Sequence, residues 1–145
     1  MYSHLEDFIH QLLLSIQVTK PEHLEMHSIA RKLGVKITYE ENKVFRCENE
    51  INLTKSTRTK EWYDFAHELC HYLRHCGNQL VMHPLFRQLQ EYQANHFVYH
   101  FCVPTFMLEK IPYLTASIIS QKFNVEFDFA LRRLEMHQNS RRYLG

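Results

Sequence analysis

Residues 62–76 read WYDFAHELCHYLRHC, and the rest of the chain is organised around them. The stretch combines a possible metal-binding motif with apolar residues at helical spacing. His67, Glu68 and His71 spell H-E-x-x-H, and on a helix the two histidines lie one turn apart on the same face. Two imidazoles placed in this way can chelate a metal ion. Glu68 directly follows the first histidine, at the position where a general base for a zinc-bound water is needed.

Apolar residues surround the motif at helical spacing, which is the pattern that buries a zinc helix against a core. A bare H-E-x-x-H also arises by chance in a chain with eleven histidines, so the apolar context adds information that the short motif lacks. The apolar positions are Phe65, Ala66, Leu69, Tyr72 and Leu73.

The length of 145 residues suits one domain with its own hydrophobic core. Hydrophobic residues make up 45% of the chain, with only three glycines and four prolines, which predicts a compact and mostly helical protein. The formal net charge is +1, and no long basic block occurs apart from Arg141 and Arg142 near the end. General nucleic-acid binding is therefore not expected, whereas a specific protein partner stays open.

The cysteines and the amino-terminal segment indicate the cellular compartment. Cys47, Cys70, Cys76 and Cys102 show no C-x-x-C spacing, so they are interpreted as reduced thiols. Residues 1–17 form an amphipathic pattern without a basic start or a cleavage site for export. No apolar run is long enough to span a membrane, and we expect a cytoplasmic protein that makes no membrane contact.

The patterns predict an α+β fold class. We expect a mostly helical single domain with a small antiparallel β-sheet of two or three strands beside the H-E-x-x-H helix, followed by a C-terminal helical hairpin. The sheet is predicted because apolar and polar residues alternate in VKITYEENKVFRCENEINLT. The predicted parts are N-terminal helices in 1–34, the sheet in 35–54, the zinc-site helices in 57–104 and the hairpin in 105–145.

Capping chemistry predicts where several helices begin and end. Ser3 can cap a first helix, and a second helix can begin at Pro21 and stop at Gly34. Thr57 or Thr59 can cap the helix that carries the histidines.

Two helical regions follow the motif. A long helix is predicted from Pro84 to Pro104, and TFMLEK forms a short turn or helix after it. The segment YLTASIISQKFNVEFDFALRRLEMH then predicts two short helices joined near Asn124 and Val125. This pair is similar to a helix-turn-helix, but it carries no basic stripe, so the residues favour packing over DNA contact.

A catalytic zinc usually takes three protein ligands, so the two histidines need a partner. Glu91 is the strongest candidate, because small Ala94 lies almost one turn later and would let two helices approach closely. Asn95, four residues after Glu91, is placed to hydrogen-bond toward a ligating histidine. The other candidates from the residues alone include His75, His83, His96 and Cys70.

Two linked motifs resemble the ImmA/IrrE family of bacterial and phage zinc metallopeptidases. The chain has A-H-E-L-C-H-Y-L-x-H at 66–75, E-Y-Q-A-N-H-F at 91–97 and V-P at 103–104. The family pattern is A-H-E-x-G-H followed by E-x-E-A-N-x-F-A and an apolar-Pro step. The resemblance implies that His67, His71 and Glu91 hold Zn²⁺ and that Glu68 is the catalytic acid/base.

Two departures from the family pattern bear on the site. Cys70 replaces the usual glycine, and a thiol beside zinc can act as an extra ligand or as an oxidation-sensitive inhibitor. Gln93 replaces an acidic residue, which leaves Glu91 as the carboxylate of that string able to ligate. The donor to the oxyanion stays open among several residues: Tyr72, His75, His83, His96 and Tyr99.

The resemblance implies a zinc-dependent endopeptidase that relieves repression by cutting a helix-turn-helix transcriptional repressor of a mobile element or stress regulon. An alternative is a zinc-stabilised module that inactivates the repressor by binding it without cleavage. A third possibility is direct DNA binding through residues 112–138, which predicts an affinity for duplex that falls steeply with salt.

Overall fold

The computed structural model describes residues 2–41, 49–75 and 93–144. Within these ranges helices dominate, one small sheet is present, and a 3-10 turn precedes the second helix. The predicted α+β, mostly helical fold class is confirmed. The elements are α1 (His4–Ser15), the 3-10 turn (Pro21–His23), α2 (Met26–Leu33), β1 (Lys36–Thr38), β2 (Glu50–Asn52), α3 (Arg58–His75), α4 (Gln93–Cys102), α5 (Thr105–Leu108), α6 (Ala116–Phe123) and α7 (Phe127–Leu144).

Local side-chain chemistry sets the ends of the first helices. Ser3 and Glu6 form a reciprocal capping box at the start of α1, which confirms the predicted cap. Gly34 ends α2 in the left-handed conformation, with a φ of 74°, as a glycine after a helix does. Pro21 instead begins the 3-10 turn, and α2 starts later, where the Glu25 carboxylate accepts a hydrogen bond from the amide of Ser28.

The two described strands run parallel, so the prediction of an antiparallel sheet is wrong for this pair. Lys36 partners Glu50 and Thr38 partners Asn52, in the same chain direction. Alternation of apolar and polar residues indicates a strand with two different faces, but it carries no information about direction. Of the connection between the strands, residues 42–48 lie outside the described ranges.

The core is built around the packing of α3 against α4. Phe65, Leu69 and Leu73 of α3 are almost fully buried, and Phe97 and Phe101 of α4 are fully buried. The rings of Phe97 and Phe101 stack with centroids 5.5 Å apart. Each fully buried side chain of this size contributes roughly 1.5–3 kcal/mol, so this contact fixes the orientation of the helix that carries the histidines.

A buried arginine joins the two ends of the chain. The guanidinium of Arg133 on α7 donates from Nε to the carbonyl of Val103 at 2.9 Å and from Nη2 to Thr105 Oγ1 at 2.8 Å. The Thr105 hydroxyl in turn donates to the Glu6 carboxylate of α1. Arg133 is only 1% exposed, so its charge is satisfied within this network rather than by solvent.

No helix in the described part of the chain is long and apolar enough to cross a membrane. The helices α6 and α7 pack together and join near Asn124, whose φ is 54°, as predicted, but α7 spans 18 residues and is longer than the short helix expected.

Candidate metal centre

The two motif histidines lie together on α3. The ring centroids of His67 and His71 are 4.8 Å apart and the rings are inclined by 75°. The side chain of His67 is 36% exposed and that of His71 is partly exposed, so an ion can reach both. The amide of Lys60 donates to Thr57 Oγ1 at 3.2 Å, which shows that Thr57 caps this helix, one of the two threonines predicted to do so.

Glu68 lies beside the histidine pair with an accessible carboxylate. Its Oε1 is 3.8 Å from Nδ1 of His67, and its side chain is 39% exposed. This distance is too long for a hydrogen bond, so the carboxylate is not held by the imidazole. Glu68 can therefore accept a proton from a water near the pair.

The third predicted ligand, Glu91, lies outside the described residues. Within residues 2–41, 49–75 and 93–144, no cluster of three or more His, Cys, Asp or Glu side chains suits a metal ion. The described part of the site thus comprises two imidazole donors one turn apart, a donor type and spacing that fit Zn²⁺. His75 has no described side chain, and His83 also lies outside the described ranges.

Cys70 points into the core instead of toward solvent. Its side chain has no exposed surface. Ala94 on α4 is also completely buried, in agreement with the prediction that a small residue there lets the helices approach. Burial of Cys70 indicates a packing role at the position where the family pattern has glycine.

Asn95 lies on α4 with an exposed side chain, and its predicted hydrogen bond toward a ligating histidine stays a prediction. The neighbouring His96 pairs with His100, with ring centroids 4.6 Å apart. His100 Nδ1 lies 3.0 Å from the carbonyl oxygen of His96, which can only accept, so Nδ1 carries the proton. Burial lowers the pKa of His100 to about 3, and the ring is therefore neutral at physiological pH.

Three stacked rings connect α3 with α7 and α4. The sequence patterns did not predict this stack. Phe129 of α7 lies between Tyr63 and Tyr99, with centroids 4.5 Å from Tyr63 and 4.3 Å from Tyr99. Tyr63 precedes His67 by one turn, and its Oη accepts a hydrogen bond from the amide of Glu126. The sequence did contain one indication of this contact. Tyr63 lies four residues before His67, and residues four apart on a helix are neighbours.

Burial raises the pKa of Tyr63 to about 12, so its phenol stays protonated at neutral pH. Its hydroxyl oxygen accepts the hydrogen bond from the Glu126 amide, and its own proton is still available for donation. Tyr63 and Tyr99 are each partly exposed. The stack therefore joins α3, α4 and α7 through Tyr63, Tyr99 and Phe129.

Comparison with known proteins gives one family match and two relatives. The model of Peptidase M78, described as the IrrE N-terminal-like domain, matches residues 22–135. The phage-like element PBSX protein XkdA of Bacillus subtilis strain 168 is 39% identical over 146 residues, which cover 94% of this chain and 74% of that protein. The uncharacterized protein YqaB of the same strain is 36% identical over 145 residues, which cover 93% of this chain and 84% of that protein. No solved structure matches the chain at a significant level.

Proposed function

This chain belongs to the Peptidase M78 family of IrrE N-terminal-like domains, and on that premise we propose that it is a zinc-dependent endopeptidase. The observation that carries the proposal is the adjacent pair His67 and His71 on α3, with the partly exposed carboxylate of Glu68 beside it. The family match agrees with the resemblance inferred from the two sequence motifs.

His67, His71 and Glu91 are the residues proposed to hold the ion. Zinc, when bound, supplies a Lewis acid that polarises a scissile carbonyl and makes a nearby water more acidic. Glu68 accepts the proton of the attacking water and returns it to the leaving amine. The donor to a developing oxyanion stays open among the residues named from the sequence, of which Tyr72, His96 and Tyr99 have described side chains.

We further propose that the substrate is a helix-turn-helix transcriptional repressor of a mobile element. The relative encoded by a phage-like element supports this genomic setting. Cleavage inactivates the repressor and releases its genes, and it takes place in the cytoplasm, where such repressors act.

Incubation of the zinc-loaded protein with the repressor encoded beside its gene tests the proposal. Defined fragments, located by mass spectrometry, are expected with the wild-type chain. Glu68→Gln is expected to keep zinc and lose cleavage, because the amide cannot accept the proton. Cleavage by Glu68→Gln at the wild-type rate would refute the mechanism. A stable complex without fragments would favour the alternative, in which repression is relieved by binding alone.

A further inference from the structure

A cleft of about 700 Å³ opens where the start of α3 meets the start of α2 and the turn between α6 and α7. We call it the Trp62 cleft; its walls include Trp62, Phe123, Arg58 and Lys55. An α-helix turns about 100° per residue, so Trp62 points roughly 180° away from His71, nine residues later. The cleft is therefore separate from the candidate metal centre, and its volume lies within the range of small-molecule sites.

The floor of the Trp62 cleft is apolar. Trp62, Phe123 and Val125 line it, and each of them is more than nine-tenths buried within the chain. Partly buried Leu24 and Met26 extend this floor. An aromatic or aliphatic body that covers these side chains removes apolar surface from water, which favours binding by roughly 25 cal/mol per Å².

Two of the carboxylates in the cleft are already engaged by the protein. Glu61 accepts hydrogen bonds from the phenol of Tyr39 at 2.7 Å and from the amide of Ser56 at 3.1 Å. These bonds keep the pKa of Glu61 below its usual value. Glu25 accepts from the amide of Ser28 at the start of α2. Both carboxylates therefore already accept hydrogen bonds from the protein.

The two cations of the rim, Lys55 and Arg58, make no hydrogen bond among the described residues. Lys55 Nζ lies 4.1 Å from the centre of the Tyr39 ring but makes no hydrogen bond within the described part of the chain. Arg58 is exposed, and no hydrogen bond or ion pair engages it among the described residues. A guanidinium presents a fork of N–H donors that matches a carboxylate or phosphate. Glu126, the remaining rim acid, is exposed and screened by solvent.

We propose that the Trp62 cleft binds a small organic anion whose apolar body rests on Trp62 and Phe123. Its carboxylate or phosphate is held by Arg58 and Lys55. The site is independent of the proposed peptidase activity, because it uses the opposite side of α3. A ligand without the anionic group binds the floor alone, and a cationic ligand gains no contact with Arg58 or Lys55.

Trp62 is the single tryptophan of the chain and serves as the reporter. Its fluorescence, excited where a phenyl ring does not absorb, is titrated with phenylbutyrate, phenylbutanol and phenylbutylamine on the full chain. Phenylbutyrate is expected to give a saturable change with a Kd about tenfold lower than that of the alcohol, the effect of one added charged hydrogen bond. Phenyl phosphate, titrated in parallel, shows whether the cleft prefers phosphate over carboxylate.

Arg58→Gln is expected to abolish the preference for the acid while leaving binding of phenylbutanol unchanged. Lys60→Gln is the matched control, because Lys60 lies on the opposite side of α3 and pairs with Asp64 at 3.0 Å. Three outcomes would each overturn the proposal: no saturable change with either anion, equal or tighter binding of the alcohol or amine, or an unchanged acid preference in Arg58→Gln.

Discussion

Tyr63 Oη accepts a hydrogen bond of 3.0 Å from the backbone amide of Glu126, and this contact fastens the start of α7 to the helix that carries the histidines. Phe129, three residues later on α7, stacks on the same tyrosine ring. The C-terminal hairpin is thereby coupled to α3 one turn before His67. Four predictions follow from this and the other described contacts.

Tyr63→Phe is expected to lower the free energy of unfolding by about 1 kcal/mol, since it removes the hydrogen bond and keeps the stack. Tyr63→Ala removes both, and the expected loss is about 3 kcal/mol. Urea denaturation measures the two values. Tyr113→Ala, at a side chain that is 82% exposed, is the control and should change stability by less than about 0.5 kcal/mol. Equal losses in Tyr63→Phe and Tyr63→Ala would show that the stack contributes nothing.

His67→Ala and His71→Ala are each expected to weaken zinc binding. The loss should exceed the roughly 10- to 100-fold that removal of an outer partner causes, because each change removes a proposed ligand. Titration against a competing chelator measures the affinity. His27→Ala is the control, since His27 is an exposed histidine on α2 and is not among the candidate ligands. A metal affinity that falls equally in all three variants would contradict the assignment of the α3 pair.

The stability of the fold is expected to decrease on acidification because of His100. Burial, with Arg133 nearby, lowers the pKa of His100 from 6.5 to about 3 in the folded state. The unfolded chain then binds more protons between these values, so the stabilisation is complete above about pH 6.5 and is lost as the pH falls toward 3. The pKa values of His96 and His137 are lowered by burial in the same direction.

Urea denaturation of His100→Gln across this pH range tests the assignment. The variant should lose less stability on acidification than the wild-type chain, whatever its stability at neutral pH. His27→Gln, at an exposed histidine, should keep the wild-type dependence. If His100→Gln shows the same slope with pH as the wild-type chain, the effect belongs to other groups.

Arg133→Met is expected to lower the free energy of unfolding by about 2 kcal/mol. The change removes two hydrogen bonds from a charged donor and leaves Thr105 and Glu6 without their buried cation. Arg132→Met, at the adjacent exposed arginine that pairs with Glu135 at 3.5 Å, should stay within about 0.5 kcal/mol of the wild-type value. Similar losses in the two variants would argue against a special role of the buried network.

Several features could be predicted from the sequence because they depend on neighbouring residues. The H-E-x-x-H spacing places His67 and His71 one turn apart on any helix, and Ser3 with Glu6 forms its capping box within one turn. Gly34 and Asn124 end their helices in the left-handed conformation for equally local reasons. The family followed from two such local motifs taken together.

Other features depend on contacts between segments that are distant in sequence, so they became visible only in the folded structure. The direction of β2 relative to β1 depends on the path that the chain takes between the two strands. The alternation of apolar and polar residues does not encode that path. The pattern of α7 does not indicate that Arg133 is buried, because its hydrogen-bond partners Val103 and Thr105 lie about thirty residues earlier in the chain. In the same way the H-E-x-x-H spacing places His67 and His71 one turn apart on any helix, whereas the burial of Cys70 and the contacts of Tyr63 with Glu126 and Phe129 depend on the packing of distant segments.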